Sequence, residues 1–284
     1  MELRQQIDSL AETLTPAERK LSAALLSDYP FAGLQTIQTL AEQTGVSAPS
    51  ITRFVTKLGC HGYQDFQRRL IGELKEGHRS PVDLHERMTS GGADFLQSFL
   101  DLTAEAVRAV GETLTQSQFE RICDLVADDK RAVYIVGGRI SDAIAQHFSR
   151  HLRQVRRNVF HLPPDTEIWP EYILRMRARD LLVIFDFRRY QQRLVELADK
   201  VRRSAGASVI LVTDKWMSPA AAYAAEVVAL PTENRTAWDS YAGALAVVDA
   251  MVASISERDW DATRDRIKAW DAVRFERSDK SGDT

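Results

Sequence analysis

Residues 40 to 66 read Leu-Ala-Glu-Gln-Thr-Gly-Val-Ser-Ala-Pro-Ser-Ile-Thr-Arg-Phe-Val-Thr-Lys-Leu-Gly-Cys-His-Gly-Tyr-Gln-Asp-Phe. Gly45 interrupts two helical patterns, and a glycine there supplies the left-handed residue that ends the first helix. Ser47 is an N-cap candidate for the second, in which Ile51, Phe54, Val55 and Leu58 recur at i, i+3, i+4 and i+7. That apolar stripe leaves Pro49, Ser50, Thr52, Arg53, Thr56 and Lys57 on the opposite side. A helix, a tight turn and a second helix with a free face of hydroxyls and cations form a helix-turn-helix pattern suited to groove and phosphate contacts. An ordinary helical bundle with a solvated charged face would show the same spacing.

Outward from this stretch, the first 76 residues read as helices only. Thr15-Pro16-Ala17-Glu18 is a capping box opening a helix with Leu21, Ala24 and Leu25, and Thr36 opens another with Ile37, Leu40 and Ala41 on one face. A further helix is expected from about Tyr63 to Lys75. Between Gly45 and Ile71, Arg53, Lys57, Arg68 and Arg69 face Asp65 alone, a local basic patch. It is local because the whole chain of 284 residues carries 37 basic and 40 acidic residues, a net charge of −3, and no overall field toward nucleic acid or anionic membranes.

With 44% hydrophobic and 27% charged residues, the chain has material for real cores, and its length suggests two domains. The longest apolar stretch, Ala242 to Ile255, contains Asp249 and is too short to cross a bilayer, and the first residues lack a signal-peptide pattern. Cys60 and Cys123 make neither a disulfide framework nor a metal quartet, so a cytoplasmic protein with no cofactor and no membrane partner is expected.

After residue 130 short apolar runs, Ala132 to Val136, Asn158 to Leu162, Leu181 to Phe185, Ser208 to Thr213 and Val227 to Leu230, alternate with helical patterns. Continuous apolar runs suit strands buried on both faces, so the spacing predicts an α/β domain with a five-stranded parallel sheet and helices on both sides. The expected layout is a helix-turn-helix domain at 1–78, a linker and connecting helix at 79–110, the α/β domain at 111–275 and a disordered tail at 276–284. In such sheets ligands collect beyond the carboxyl ends of strands. Gly137-Gly138-Arg139-Ile140-Ser141-Asp142 lies at one such end, with glycines for close backbone approach to an anion and a side chain to cap the next helix.

The stretch from 40 to 66 closely resembles the N-terminal domain of RpiR/MurR-type bacterial transcription regulators. The match lies at Leu40, Ala41, Gly45, Val46, Ser47, Arg53, Phe54, Lys57, Leu58, Gly59, Gly62, Tyr63 and Phe66. The resemblance implies double-stranded DNA as a partner, a near-palindromic operator bound by a homodimer or homotetramer, with Ser50, Thr52 and Arg53 near base edges or phosphates and Lys57 near the backbone. The second half is similar to the sugar isomerase (SIS) domain that follows in those regulators: the Gly-rich turn and Ser141, Thr213 with Ser218-Pro219, then Ser240 and Asp249. By that resemblance a sugar phosphate or related small anion would be the effector, bound with Gly137, Ser141 and the loop after the third strand. That loop departs from the family's hydroxyl-rich SxSGxT pattern and reads Asp186-Phe187-Arg188-Arg189-Tyr190. Two guanidiniums could hold a phosphate or carboxylate, or could pair with Asp186 or a neighbouring subunit.

The competing reading is a sugar-phosphate isomerase or lyase carrying a DNA-binding module, for which Glu167, His161 or Glu233 would be general-base candidates. His147 and His151 have zinc-compatible spacing without an evident third ligand, and the five tryptophans suit core or interface positions.

Overall fold

A computed structural model of the chain describes residues 3–10, 13–27, 29–77, 81–82 and 94–275. The N-terminal unit is helical: α1 (Leu3–Ser9), α2 (Pro16–Ser27), α3 (Phe31–Leu34), α4 (Ile37–Thr44), α5 (Ala48–Lys57) and α6 (Tyr63–Gly77). The capping box closes both ways: Glu18 N–H donates to Thr15 Oγ1 at 3.3 Å and Thr15 N–H to Glu18 Oε2 at 2.8 Å. Thr36 Oγ1 accepts the Thr39 N–H at 3.1 Å at the start of α4, and Gly45 ends that helix at φ 65°. Ile51, Phe54 and Val55 are fully buried with Leu21, Leu25, Leu40, Phe66 and Leu70 in a core belonging to this unit alone. Ser47 departs from the expected cap. Its hydroxyl contacts the Ser50 hydroxyl at 2.9 Å and takes no backbone N–H.

The connecting helix, α7, runs from Phe95 to Thr113, beyond the expected end at 110. Along it Ala106 and Val110 lie against a later helix, where a Cβ on Gly243 would sit 3.0 Å from Val110 Cγ2. Most of the expected linker and the 276–284 tail lie outside the described residues.

Then follow α8 (Gln116–Ala127), β1 (Val133–Gly137), α9 (Asp142–Val155), β2 (Val159–His161), α10 (Trp169–Arg175), β3 (Leu181–Phe185), α11 (Gln192–Lys200), β4 (Ser208–Asp214), β5 (Glu226–Leu230), α12 (Ala242–Arg258) and α13 (Trp260–Phe275). The five strands are parallel in the order β2-β1-β3-β4-β5, with Val133 opposite Leu181 and Leu181 opposite Ser208. Alternate strand residues feed two cores. Ile135, Val183, Phe185 and Val212 pack with Phe148, Leu152, Val247 and Met251 on one face. Val136, Leu182, Ile184 and Leu211 pack with Trp169, Leu194, Leu197 and Val201 on the other. Both faces are covered, as continuous apolar strands require.

The chain leaves β1 toward β2 on one side and toward β3 on the other. The crevice between the carboxyl ends of β1 and β3 is therefore the topological switch point, the place where such sheets hold ligands.

Candidate functional site

The outer face of α5 presents Ser47, Pro49, Thr52, Arg53, Thr56 and Lys57 to solvent, with Ser50 half-buried. Thr52 and Thr56 hydroxyls donate back to Ala48 O (3.0 Å) and Thr52 O (2.9 Å), leaving oxygen lone pairs outward. Arg53 Nη2 donates to Ser50 Oγ at 3.0 Å. The basic patch is more balanced than a count along α5 and α6 suggests. Lys57 Nζ lies 3.2 Å from Glu18 of α2, and Asp65 takes both Arg68 (3.5 Å) and Arg69 (3.2 Å). Backbone and side-chain hydrogen bonds from Thr15, then Lys57, hold the Glu18 carboxyl below its ordinary range against a modest burial effect. Arg53 has no carboxylate partner in these pairs, so it is the more available cation.

At the switch point the turn after β1 and the loop after β3 wall a cleft of about 320 Å³, with Ala237, Trp238, Asp239 and Tyr241 closing the third side. Gly138, Arg139, Ser141, Asp186, Arg188 and Arg189 line it. Gly137 does not. Its role is steric, because a Cβ there would fall within contact of Asp142 N and Cα and 2.6 Å from Ser141 C. Ser141 hydroxyl ties the two walls: it donates to Phe185 O at 2.6 Å and accepts the Gly138 N–H at 2.8 Å.

Thr213, Tyr190 and Ser240 lie off the lining. Thr213 is fully buried and its Oγ1 accepts the Ser218 N–H at 3.1 Å. Tyr190 is half-buried and donates to Asp214 Oδ1 at 2.6 Å; Ser240 donates its N–H to Thr232 O at 2.8 Å.

Beneath the loop, Asp186 accepts from Ser218 Oγ (2.6 Å) and Gln191 N–H (3.3 Å), and Asp214 accepts from Arg188 N–H (2.5 Å) and Trp216 N–H (3.1 Å). Burial raises Asp186 to about 7, against the Ser218 hydrogen bond, and Asp214 to about 6, against those of Tyr190 and Arg188. Each keeps a proton in the folded protein at pH values where the unfolded chain has released it. Stability is therefore expected to fall as pH rises from about 4 to about 7. Thermal melts should show a shallower fall in Asp186→Asn, whose amide can still accept from Gln191 N–H; an equal slope would remove Asp186 as a source.

Arg188 is not paired with Asp186. Its side chain, 2% exposed, lies with Nε 3.3 Å from Asp239 Oδ2 and Nη2 3.7 Å from Glu233 Oε1, and its guanidinium carbon sits 3.7 Å from the Trp216 ring centroid. Arg189 is exposed on the cleft wall, with its backbone in the left-handed region at φ 68°. Trp216, Trp238, Asp239 and Tyr241 were not singled out as site residues by sequence reasoning. The strand-end position of Trp216, just past β4, was the one available signal.

Two of the base candidates, His161 and Glu167, sit elsewhere, and Glu233 touches the site through Arg188. His161 Nε2 is 2.7 Å from Asp142, Glu233 Oε2 is 2.5 Å from Lys215 Nζ, and Glu167 is exposed at the start of a short 3₁₀ turn. None of the three lines the cleft. His147 Nε2 pairs with Asp249 at 2.7 Å, and among the described residues no group of three potential metal ligands forms. Among them, too, no helix is long and apolar enough to cross a membrane.

Against known families, residues 1–77 match the helix-turn-helix domain of the rpiR family and residues 127–254 match the SIS domain. The chain joins an rpiR-family helix-turn-helix to a SIS domain. A Thermotoga maritima protein described as an uncharacterized HTH-type transcriptional regulator is 26% identical over 267 residues, 91% of this chain and 93% of its own length. A bifunctional protein glk of Paraburkholderia xenovorans is 31% identical over 146 residues, but the match spans only 22% of that protein and 50% of this one. Among solved structures, Vibrio vulnificus NanR complexed with ManNAc-6P is similar over 96% of this chain and 97% of its own, with TM-score 0.53 and 18% identity. At that identity the likeness concerns the fold. This RpiR-type chain thus has the two-domain order of a transcription regulator, with a cleft lined, apart from Pro81, by residues of its SIS domain.

Proposed function

We propose that the protein regulates transcription in the cytoplasm by binding a near-palindromic operator through α5, with an affinity set by a small anionic effector in the SIS cleft. The observation that carries the reading is the joint placement of an outward polar and cationic face on α5 and a cleft at the β1/β3 switch point containing a buried guanidinium. The NanR structure was solved with a sugar phosphate, which is consistent with a small anionic ligand class for this architecture. A regulator is favoured over an isomerase or lyase by the rpiR-family helix-turn-helix at residues 1–77 and by the likeness to an HTH-type transcriptional regulator over 91% of the chain. An even oligomer is supported by exposed Leu96 and Leu100 on α7 and by the open apolar groove of Val107, Val110, Phe119 and Ala250 beside them.

Coupling requires that the ligand favour one arrangement of the two recognition helices; equal binding to both would shift nothing.

Duplexes selected by the full-length protein from a random library provide the test. Arg53→Ala should weaken binding to them by about 1–3 kcal/mol without unfolding the domain, since Arg53 lies off the buried stripe. Lys57→Ala should flatten the slope of log affinity against log salt by about 1 if its ammonium exchanges Glu18 for a phosphate. Unchanged binding in both variants would move the DNA contact away from α5.

A further inference from the structure

We propose that the SIS cleft takes a monocarboxylate with an aromatic or other apolar body, whose carboxylate replaces Asp239 on Arg188. This rests on the reading that the cleft is the effector site, and narrows it.

Arg188 supplies the recognition element. Among the described residues no acceptor meets hydrogen-bond geometry at its Nε, Nη1 or Nη2, although Asp239 and Glu233 lie within ion-pair distance. A buried guanidinium with three misdirected nitrogens is incompletely satisfied, and a planar carboxylate able to take two parallel N–H groups fits it better than Asp239 does in this geometry. Asp239 is a carboxylate held at this position by its own chain, and burial pushes its carboxyl upward against the pull of Arg188. Returning it to water while a ligand monoanion enters exchanges one charge for one.

Part of the backbone that could wrap a phosphate is already engaged. Four backbone donors of these two turns are already aimed inward: Gly138 N–H at Phe185 O and Ser141 Oγ, Asp186 N–H at Val212 O, Arg188 N–H at Asp214, and Gln191 N–H at Asp186. Two buried carboxylates, in effect, fill the anion-binding side of the loop from beneath. A dianion would also bring a second negative charge to a site that already holds Asp239.

Beside the polar side chains of Arg139, Ser141, Arg189 and Gln191, one part of the wall is apolar. Ile140, Phe187, Trp238 and Tyr241 line the cleft, with the Phe187 and Tyr241 rings 4.9 Å apart and Trp238 70% exposed at the mouth. Such a surface gains from covering an apolar body.

Calorimetry on the full-length protein with phenylacetate, phenylacetamide, phenyl phosphate and glucose 6-phosphate tests this. Phenylacetate should bind, with phenylacetamide and phenyl phosphate each about tenfold or more weaker. Asp239→Asn should tighten phenylacetate and Arg188→Lys should abolish it. The comparison of acid with amide needs no variant, so it stands even where a variant misfolds. Preferential binding of either phosphate, lost in Arg188→Lys, would overturn the carboxylate assignment while leaving the cleft as the effector site. Binding of any probe that survives Arg188→Lys unchanged would remove the cleft reading itself. No binding of phenylacetate at millimolar concentration, or equal binding of acid and amide, would also overturn the assignment.

Discussion

Gly137→Ala is expected to leave the SIS domain unable to reach its native packing. A methyl at this position would lie inside contact distance of Asp142 N and Cα and 2.6 Å from Ser141 C, all backbone atoms of the turn that starts α9. Backbone cannot yield as a flexible side chain can, and α9 carries Ile144, Ala145, Phe148 and Leu152 into the larger core, so relief would pull the helix off the sheet. Soluble yield and the cooperative thermal transition of the C-terminal domain should both be lost. Gly111→Ala is the control: no heavy atom lies within 4 Å of its added methyl, and in the interior of α7 the change should stabilise by about 0.5–1 kcal/mol. A normal transition in Gly137→Ala would mean that the β1 turn opens more easily than its geometry implies.

The second large effect concerns the isolated DNA-binding unit. Residues 1–78 should fold, because Phe54, Phe66, Leu21, Leu25, Leu40 and Ile51 form a core drawn only from this unit. Operator affinity should nevertheless drop by about 10²–10⁴-fold, since a single module loses the second half-site and its share of phosphate contacts. Circular dichroism confirms folding and anisotropy with a selected duplex reads the affinity. Equal affinity of fragment and full chain would exclude the SIS domain as the source of dimerisation.

What the sequence revealed, and what it concealed, divides along physical lines. The stripe of Ile51, Phe54, Val55 and Leu58 is legible because burial in a helix imposes a 3.6-residue period, and the central strands β1, β3 and β4 are legible because burial on both faces imposes continuous apolar runs. Thr15 with Glu18, and Thr36 before α4, are legible because caps act over three residues. Strand order is not local, and only the order places the turns after β1 and β3 across one crevice. Contacts made by chain segments far apart were equally hidden. Glu18 reaches Lys57 from another helix, and Asp239 and Trp216 reach Arg188 from beyond two other strands, so neither the balance of the basic patch nor the burial of Arg188 follows from neighbours in sequence.

That burial also changes how the Arg-Arg loop can be dissected. Truncating Arg188 to alanine would leave the mostly buried Asp239 without its cationic partner, a change expected to cost about 3–5 kcal/mol, so an alanine at this position cannot separate ligand binding from stability. Exposed Arg189 can be changed without that penalty.

The central claim is that the cleft and α5 are energetically linked. Fluorescence anisotropy of a duplex selected by the full-length protein, titrated with and without saturating phenylacetate, measures that link directly. A coupling of typical size, about 1–3 kcal/mol, predicts a shift of roughly 5- to 150-fold in operator affinity that disappears in Arg188→Lys while the ligand-free affinity of that variant stays at the wild-type value. Identical affinities with and without the ligand, at concentrations where calorimetry shows the cleft filled, would contradict the account.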